Sequence, residues 1–387
     1  MTPIEQAALD LHRKYQGKLE VRSKVPLKTK QDMSLAYTPG VGKVSQEIAR
    51  DPQLAYEYTL KKNTIAIISD GSAVLGLGNL GPLAAIPVME GKALLFKELG
   101  GVDAFPICLD TQDTEEIIRA VKQLAPVFGG INLEDISSPR CFEILERLRN
   151  ELSIPVIHDD QQGTAVVVLA ALINALKVKG QKKESVRVVV SGAGAAGLAI
   201  TNFLLAYGFI NIVVCDSQGA IYKNRDGLNP IKEKLAKLTN LACLRDQDDT
   251  ACIKGSLADA LKGADIFIGV SVAGALKPEL IKLMNPDPII FAMANPTPEI
   301  MPDEALAAGA LIVATGRSDF ANQINNVLAF PGIFRGALDN KVVKITDKML
   351  TKAAENIAAR VVEPKKDNIL PSAFDPGLVA TVANAIK

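Results

Sequence analysis

The sequence predicts an α/β protein with two domains, each built on an open, mainly parallel sheet with flanking helices. The chain has 387 residues, 48% of them hydrophobic, and a single core stops growing at about 250 to 300 residues. Apolar runs of strand length alternate with helix-period segments over residues 64–315, which is the pattern of parallel strands joined by helices. A short, polar and basic segment at residues 180–185 separates two such series, and this predicts two sheets.

The individual strands and helices are predicted from the length and periodicity of each apolar run. The first series has strands at residues 64–69, 105–109, 127–133 and 154–157, with helices at 113–124 and 139–150. The second series, with a helix at 195–207, has strands at residues 186–191, 210–215, 266–270, 289–293 and 311–314. Three further helices are predicted at residues 162–178, 347–362 and 376–386.

The change of domain is placed in the long helix that connects the two series of strands. We expect a first domain over residues 1–160, of which about residues 1–60 form a helical arm, and a second domain over residues 161–325. The remaining segment, residues 326–387, has no predicted strand. We therefore expect its helices to pack back on the first domain.

The composition excludes several classes of partner. Lys plus Arg and Asp plus Glu both number 43, so no net charge attracts nucleic acid or an anionic membrane, and a small-molecule partner is expected. The five cysteines include no Cys-x-x-Cys pair, which predicts neither a disulfide framework nor a thiolate zinc site. The densest apolar stretch, residues 165–176, contains Asn174 and is shorter than the roughly 18 residues of a membrane span. We expect a cytoplasmic protein without a membrane span.

A Gly-x-Gly-x-x-Gly pattern lies between a predicted strand and a predicted helix. Gly192 allows a tight turn, Gly194 allows a pyrophosphate to approach the backbone, and Gly197 allows the helix to touch the strand. Asp216 ends the next strand, where a carboxylate accepts hydrogen bonds from ribose hydroxyls and repels a 2′-phosphate. Gln218, rather than a basic residue, follows it. The pattern predicts a Rossmann-type dinucleotide-binding domain that prefers NAD, with NADP as the alternative. The coenzyme-binding turn comprises Gly192, Ala193, Gly194, Ala195, Ala196 and Gly197.

Two alternatives to this interpretation stay open at the level of sequence. The glycine-rich turn can be a purely structural turn that binds no ligand. A second Gly-x-Gly-x-x-Gly pattern, residues 76–81, also follows a strand but lacks an acidic strand end about 20 residues later. We interpret this second pattern as a loop that lines the cleft.

Acidic residues follow two neighbouring strands of the first domain. Glu134 and Asp135 follow one strand, and Asp159 and Asp160 follow the next. Because the carboxyl ends of parallel strands face the ligand crevice, these carboxylates can converge there. Adjacent carboxylates repel unless a cation lies among them, and hard oxygen ligands select Mg²⁺ or Mn²⁺ over zinc. Helix capping by Asp135 and Asp160 explains the same spacing equally well.

Other polar residues suit acid–base chemistry and substrate binding. Lys92 lies among apolar residues, where burial lowers a lysine pKa toward that of a usable base. Tyr37, in a loop shaped by proline and glycine, can donate its phenolic proton. Amide groups of Asn295, Asn325 and Asn326 can hold a carboxylate. The ordinary alternatives are a solvated lysine, a tyrosine that plugs an apolar surface, and asparagines that shape turns.

Several segments, in order along the chain, resemble the malic enzyme family in its short bacterial form. The most specific is His158-Asp-Asp-Gln-Gln-Gly-Thr-Ala165. The others are Tyr-Thr-Pro-Gly-Val-Gly, Gly-Leu-Gly-Asn-Leu-Gly, Glu-Gly-Lys, Leu-Glu-Asp-Ile, Ala-Asn-Pro-Thr and Asn-Asn-Val. The resemblance spans nearly the whole chain. It implies oxidative decarboxylation of L-malate to pyruvate with NAD, or possibly NADP, a requirement for Mg²⁺ or Mn²⁺, and decarboxylation of oxaloacetate.

The resemblance also implies roles for individual residues. It makes Tyr37 the general acid and Lys92 the general base, with Asp159 beside Lys92. It assigns Glu134, Asp135 and Asp160 as metal ligands, and it places Asn295 and Asn326 at the substrate and the nicotinamide, with Asn325 close by. It further implies a homodimer or a dimer of dimers.

Two positions depart from the family pattern. Longer relatives have an arginine before the Gly-Leu-Gly loop to hold a substrate carboxylate, and this chain has Ala73 there. Ile157 stands where phenylalanine is usual, a difference that concerns packing. The rival interpretations are another nicotinamide-dependent hydroxy-acid or amino-acid dehydrogenase and a non-catalytic dinucleotide-binding regulator.

Overall fold

The computed structural model describes residues 2–246, 249 and 251–387. Within these residues the strands form two sheets, so the predicted α/β fold with two mainly parallel sheets is confirmed. The first sheet is wholly parallel, with the order β2-β1-β3-β4, and comprises β1 (Thr64–Ser69), β2 (Asp103–Cys108), β3 (Gly130–Leu133) and β4 (Val156–His158). The second has the order β10-β9-β8-β5-β6-β7 and comprises β5 (Arg187–Ser191), β6 (Asn211–Asp216), β7 (Gly219–Ala220), β8 (Ile266–Gly269), β9 (Ile289–Ala292) and β10 (Ile312–Thr315). Only β7, which sequence periodicity did not predict, runs antiparallel to its neighbour within the described strands.

Helices flank both sheets. Those of the first half are α1 (Pro3–Tyr15), α2 (Lys30–Ala36), α3 (Gly40–Arg50), α4 (Ala55–Tyr58), α5 (Pro82–Gly100), α6 (Thr114–Leu124), α7 (Arg140–Glu151) and α8 (Thr164–Lys179). Those around the second sheet are α9 (Ala195–Tyr207), α10 (Pro230–Ala236), α11 (Leu241–Arg245), α12 (Leu257–Leu261), α13 (Pro278–Ile281) and α14 (Pro302–Ala307). The chain ends with α15 (Phe330–Asp339), α16 (Asp347–Ala359) and α17 (Leu378–Ala383).

Helix α8 is the central helix of the molecule, and most of its side chains are buried. Together with the π turn Asp159–Gly163 that precedes it, it forms 21 helical residues, long and apolar enough to cross a membrane by length and composition. However, 72% of the apolar 18-residue window within that segment is buried inside the protein. Asn174 donates hydrogen bonds to the carbonyl groups of Ala358 and Ile369, so this polar residue ties α8 to the C-terminal segment. The burial is that of a core helix.

The C-terminal helices contact elements of both halves. Phe330 and Phe334 of α15 pack on Phe96 of α5, with ring centroids 4.6 and 5.5 Å away, and α16 packs on α8. The division of the chain into domains at residues 160 and 325 stays a prediction, as does the assignment of residues 326–387 to the first domain.

The N-terminal arm is the least buried part of the molecule. Helices α1, α2 and α3 contain no buried residue among the residues described. Several large apolar side chains of the arm are exposed, among them Leu9, Leu27, Met33 and Leu35. Backbone of the arm contacts helix α5, where the amide of Lys18 donates to Glu90.

The expectation that the cysteines form no disulfide is wrong for one pair. Cys243 and Cys252 are joined, with their Cα atoms 4.5 Å apart. The side chain of Asn240 binds both the carbonyl and the amide of Ile253. These hydrogen bonds bring the two segments side by side, and no Cys-x-x-Cys spacing announces such a contact in the sequence.

Candidate functional site

A cleft of about 670 Å³ is lined by residues that follow strands of both sheets. The first half contributes Lys92, Glu134, Asp135 and Asp160, and the second contributes Ala196, Ser271, Asn295, Asn325 and Asn326. Apart from Tyr37 and Asp159, the residues that the sequence singled out for metal binding, proton transfer and substrate binding therefore meet at one place. Their convergence follows from the parallel sheets, whose carboxyl ends face the same crevice.

Three carboxylates converge at the carboxyl ends of β3 and β4. Leu133 pairs with His158 across these strands, so the residues that follow them, Glu134 and Asp159, start at the same edge. Ligand oxygens of Glu134, Asp135 and Asp160 all lie within 4.8 Å of one another. The amide of Asp135 also donates to Asp160 Oδ2 at 3.0 Å. The geometry is that of a compact oxygen-donor set.

The helix-capping interpretation of these acids does not hold. Helix α7 has Pro139 at its N-cap, and the π turn before α8 has His158 there, with no side-chain hydrogen bond at either cap. Asp135 adopts a left-handed backbone conformation (φ 53°), which turns the chain away from β3 before α7 begins. Its carboxylate is therefore free of a capping role.

The electrostatics of the cluster suit a cation. Burial, with repulsion from Asp160 added, raises the pKa of Glu134 to about 7 and that of Asp135 to about 8. Burial and the neighbouring Asp159 also raise the pKa of Asp160. Asp135 Oδ2 is buried without a hydrogen-bond partner in the described part of the chain. Buried carboxylates in this state either keep protons or bind a metal ion, and hard oxygen donors fit Mg²⁺ or Mn²⁺.

Lys92 lies next to the carboxylate cluster on the inner face of α5. Its ammonium donates to Glu134 Oε1 at 2.6 Å and forms a short ion pair with Asp159. The nitrogen also lies 4.4 Å from the centre of the Phe330 ring. Only 7% of the residue is exposed, so the solvated-surface alternative is wrong.

The expectation that burial lowers the pKa of Lys92 is also wrong for the protein without a cation. Burial acts in that direction, but the charges of Asp159 and Glu134 outweigh it and raise the pKa of Lys92. The sequence shows the apolar neighbours of Lys92 along the chain. It does not show the two carboxylates that the fold brings within hydrogen-bond distance.

The π turn Asp159–Gly163 separates the roles of two adjacent acids. Asp159 is fully buried and binds Lys92, whereas Asp160 is only partly buried and lines the cleft. Gly163 closes the turn against Asp159, and a Cβ atom at Gly163 would overlap the Asp159 carboxylate. Burial lowers the pKa of the adjacent His158 to about 4, which keeps its ring neutral.

The glycine-rich turn after β5 has the geometry that its sequence predicts. Gly192 has φ 117°, and a Cβ atom there would overlap the carbonyl of Val270. A Cβ atom at Gly197 would overlap the Gly192 carbonyl, whereas Gly194 faces open space. Helix α9 starts at Ala195 without a side-chain cap, so its first amide groups can bind phosphate. Of the turn residues Ala193, Ala195 and Ala196, only Ala196 is among the described residues that line the cleft. Gly76, the first glycine of the second pattern, and Leu75 before it line the cleft too.

Asp216 lies at the end of β6, as predicted, but its carboxylate is not free. Arg225 and Lys232 both form ion pairs with it, and the amide of Gln218 donates to Asp216 Oδ1 at 3.0 Å. Gln218 thus binds Asp216 through its backbone amide and not through its side chain. Arg225 and Lys232 were missed in the sequence, where nothing distinguishes them from the solvated cations of a polar segment.

The predicted asparagines line the cleft on the side of the second sheet. Asn295 precedes a cis proline at the end of β9, and Asn325 accepts a hydrogen bond from the amide of Val327 at 2.9 Å. A further residue that the sequence did not suggest is Glu299, which is fully buried. Its carboxylate accepts from the amides of Ser271 (2.8 Å) and Ala294 (3.0 Å), so it holds two segments of the cleft wall together.

Tyr37 is a predicted site residue that the fold leaves apart from the cleft. It is 67% exposed at the end of α2 and does not belong to the described lining of the cleft. Ala73 does line the cleft, and its amide donates to the carbonyl of Asp135 at 3.0 Å. Among the described lining residues, Lys92 alone is a lysine or an arginine. Among the described residues that line the cleft, no arginine takes the place of the one absent at Ala73.

Comparison with known proteins identifies the family. The family model described as malic enzyme, N-terminal domain, matches residues 16–149, and the one described as malic enzyme, NAD binding domain, matches residues 161–376. The chain is 54% identical to the bifunctional malic/malolactic enzyme of Bacillus subtilis (strain 168), over 99% of this chain and 92% of that protein. It is 56% identical to the NAD-dependent malic enzyme of Geobacillus stearothermophilus, over 96% of this chain and 76% of that protein. The crystal structure of the NAD-dependent malic enzyme of Thermotoga maritima superposes with a TM-score of 0.93 at 52% identity, over 98% of each chain. The chain therefore belongs to the malic enzyme family.

Proposed function

We propose that this malic enzyme oxidises and decarboxylates L-malate to pyruvate and CO₂ with NAD as hydride acceptor and with a divalent cation bound. The observation that carries the proposal is that Lys92 and three carboxylates share one cleft with Ala196, which belongs to the glycine-rich turn after β5. The names of the Geobacillus and Thermotoga relatives support NAD as the coenzyme. Decarboxylation of added oxaloacetate is expected at the same site.

The residues that would hold the cation are Glu134, Asp135 and Asp160. Three oxygen donors, two of them on buried residues and one of these with an unpartnered atom, fit Mg²⁺ or Mn²⁺. When bound, the ion would supply positive charge that stabilises the developing charge on substrate oxygens. It would also compensate the carboxylate charges that raise the pKa of Lys92.

Lys92 is the proposed base for the C2 hydroxyl of malate. The hydroxyl proton passes to the neutral amine of Lys92 while hydride passes from C2 to the nicotinamide, and this forms a 2-keto acid. Asp159 is the proposed positioning residue, since its ion pair and the Phe330 ring fix the Lys92 nitrogen. Loss of CO₂ then breaks the C3–C4 bond and leaves an enolate, which a proton donor converts to pyruvate.

Amide side chains are the proposed ligands of the substrate and the nicotinamide. Asn295, Asn325 and Asn326 line the cleft on the side of the second domain. Neutral amide donors can bind a substrate carboxylate without a full opposite charge. We propose that these amide groups take over the role of the family arginine, which holds a substrate carboxylate and is replaced here by Ala73.

Tyr37 is the proposed proton donor to C3 only within an oligomer. The arm that carries it has no buried residue in the described helices α1 to α3 and exposes apolar side chains. We propose a homodimer, or a dimer of dimers, in which a second copy covers this arm. In that assembly Tyr37 can act in the cleft of the partner. The cytoplasmic location and the absence of nucleic-acid and membrane partners stay predictions.

The test is a spectrophotometric assay with L-malate and NAD, in the presence of Mn²⁺ or of EDTA. We expect NADH and pyruvate to form with Mn²⁺ and activity to be lost in EDTA. Because one relative is named a malic/malolactic enzyme, lactate is assayed as the alternative product. Turnover of malate without any divalent cation would contradict the proposal and favour another nicotinamide-dependent dehydrogenase.

The Lys92→Ala variant tests the proposed base. General-base catalysis contributes about 10²- to 10⁴-fold, so kcat should fall by that amount while the affinity for NADH stays unchanged. Lys97→Ala is the matched control, because Lys97 lies on the same helix but is mostly exposed. Near-normal kcat in Lys92→Ala would remove this residue from the mechanism.

A further inference from the structure

A second cavity, of about 280 Å³, lies apart from the cleft. Lys61, Gly129 and Pro155 belong to its wall, and these residues lie just before the strands β1, β3 and β4. The strands are parallel, so their amino ends share the edge of the first sheet that is opposite to the cleft. The cavity and the cleft have no described lining residue in common.

The wall of this cavity is cationic and otherwise largely apolar. In the described part of the chain it contains two lysines, Lys61 and Lys341, and no aspartate or glutamate. Gln53, Tyr56 and Ser153 add neutral groups that can donate hydrogen bonds. The other lining residues have no polar side chain and are Pro52, Gly129, Pro155, Ala337, Leu338, Val342 and Val343. Such a wall suits a ligand that has a negative charge and an apolar part.

Lys61 is a buried cation without a carboxylate partner. Only 9% of the residue is exposed. Its ammonium donates to the carbonyl groups of Ala125 (3.1 Å) and Phe128 (2.6 Å) and lies 5.1 Å from the centre of the Tyr56 ring. An ammonium has three donors, so these two hydrogen bonds leave one of them for a ligand. Burial lowers the pKa of Lys61, and no carboxylate among the described residues opposes this effect.

The contrast with Lys92 shows what Lys61 lacks. Lys61 and Lys92 are the two buried lysines among the residues that the structure describes. Lys92 is compensated by Glu134 and Asp159, which raise its pKa. A buried charge without an opposite charge costs free energy. An anion bound beside Lys61 would recover part of that cost.

We propose that this second cavity is a binding site for a small organic anion, a carboxylate or phosphate group carried on an apolar body. The anionic group pairs with Lys61 and Lys341. The apolar body packs against Tyr56, Leu338 and Val342 on the wall of the cavity. The site is separate from the cleft, and the inference does not depend on the proposed oxidation of malate.

The test is isothermal titration calorimetry with four probes. Benzoate and phenyl phosphate have an apolar ring, whereas acetate and inorganic phosphate present the same anionic groups without it. The variants are Lys61→Met and Lys341→Met, which remove one charge each. Lys62→Met is the matched control, because Lys62 is exposed next to Lys61 and does not belong to the described wall. Circular dichroism and the Tm show whether each variant is folded.

We expect the unchanged protein to bind benzoate or phenyl phosphate about tenfold more tightly than the probe without a ring, because the ring buries apolar surface. The tighter of the two aromatic probes identifies the anionic group that the site prefers. Loss of a charged hydrogen bond should weaken binding by about tenfold to hundredfold in Lys61→Met. The loss should be smaller in Lys341→Met, since Lys341 is exposed, and Lys62→Met should behave like the unchanged protein.

Two outcomes would overturn the inference and leave the proposed function intact. One is the absence of saturable binding of all four probes to the unchanged protein. The other is equal affinity in the unchanged protein, Lys61→Met and Lys341→Met, which would place the anion elsewhere. If Lys61→Met does not fold, Lys341→Glu decides the question, because it reverses a charge at an exposed position. Binding should then be lost, and full affinity in Lys341→Glu would contradict the proposed site.

Discussion

At the scale of single residues, the site depends on charges that come together only in the folded chain. Lys92 would be a weakly basic amine if its apolar neighbours alone acted on it. In the structure Asp159 and Glu134 hold it as an ammonium. Likewise, Asp216 would repel a phosphate if Arg225 and Lys232 did not bind it. In both cases the ion-pair partners determine the charge that the side chain presents.

The position of Asp159 depends on the absence of a side chain at Gly163. In Gly163→Ala the new Cβ atom overlaps the Asp159 carboxylate and pushes it away from Lys92. Because misplacement by about 1 Å can cost about 10²-fold, we expect kcat to fall about tenfold to hundredfold. Steady-state kinetics and the Tm are the measurements.

The control is the Tm of the variant. A Tm close to that of the unchanged protein shows that Gly163→Ala is folded, so that a lower kcat reports the position of Asp159. If Gly163→Ala retains full kcat, the ion pair of Asp159 with Lys92 does not position the base.

At the scale of elements, the polar residue inside α8 has a defined structural task. Asn174 is fully buried and donates to two carbonyl groups of the C-terminal segment, at 2.8 and 3.0 Å. It also accepts from Lys177 Nζ at 3.0 Å. The sequence shows Asn174 as an interruption of an apolar stretch. In the fold it joins the central helix to α16 and the segment after it.

We expect Asn174→Ala to lower the free energy of unfolding by about 2 to 6 kcal/mol, because two buried carbonyl groups lose their donor at about 1 to 3 kcal/mol each. Chemical denaturation monitored by circular dichroism measures the change. Asn150→Ala is the control, since Asn150 is exposed and should cost less than about 0.5 kcal/mol. Equal stability of the two variants would show that water satisfies these carbonyl groups.

At the scale of the whole molecule, the cluster at the cleft links stability to pH and to metal binding. Raised pKa values mean that the folded protein binds protons at Glu134 and Asp135 more tightly than the unfolded chain does. The free energy of unfolding therefore falls as the pH rises from about 4 to about 8, because the folded protein loses these protons over that range. A bound cation compensates the negative charge of these deprotonated carboxylates.

We expect Mn²⁺ to raise the Tm of EDTA-treated protein more at pH 8 than at pH 6, because fewer protons must be displaced at pH 8. Differential scanning fluorimetry measures the shift at both pH values. The Asp135→Asn variant should lose most of it. A shift of the same size at both pH values, or one retained in Asp135→Asn, would show that the ion binds elsewhere.

The oligomer predicts complementation between two inactive variants. Tyr37→Phe and Lys92→Ala should each have low activity alone. If Tyr37 acts in the partner's cleft, co-expressed chains form hybrid dimers in which one cleft has both residues intact. We expect co-expression to restore activity, measured as malate-dependent NADH formation by the purified hybrid. Activity no higher than that of the separate variants would place both residues in the same subunit or remove Tyr37 from the site.

Much of the fold could be predicted because its signals are local. The strand at residues 64–69 and the helix at 195–207 were predicted with the bounds that the structure has. The third strand begins later than predicted, at Gly130, because residues 125–127 form a turn of 3₁₀ helix that starts with Ala125-Pro126. Pro126 removes an amide donor that a strand would need.

The sequence by itself determined the two parallel sheets, the glycine-rich turn and the acidic strand ends, since periodicity, backbone freedom and strand order act over short distances. Tertiary structure alone decided which charges meet. It paired Lys92 with Asp159 and Glu134, gave Asp216 two cations, joined Cys243 to Cys252, and left Tyr37 exposed on the arm. The physical reason is that electrostatic and covalent contacts depend on distance in space, which folding sets between residues far apart along the chain.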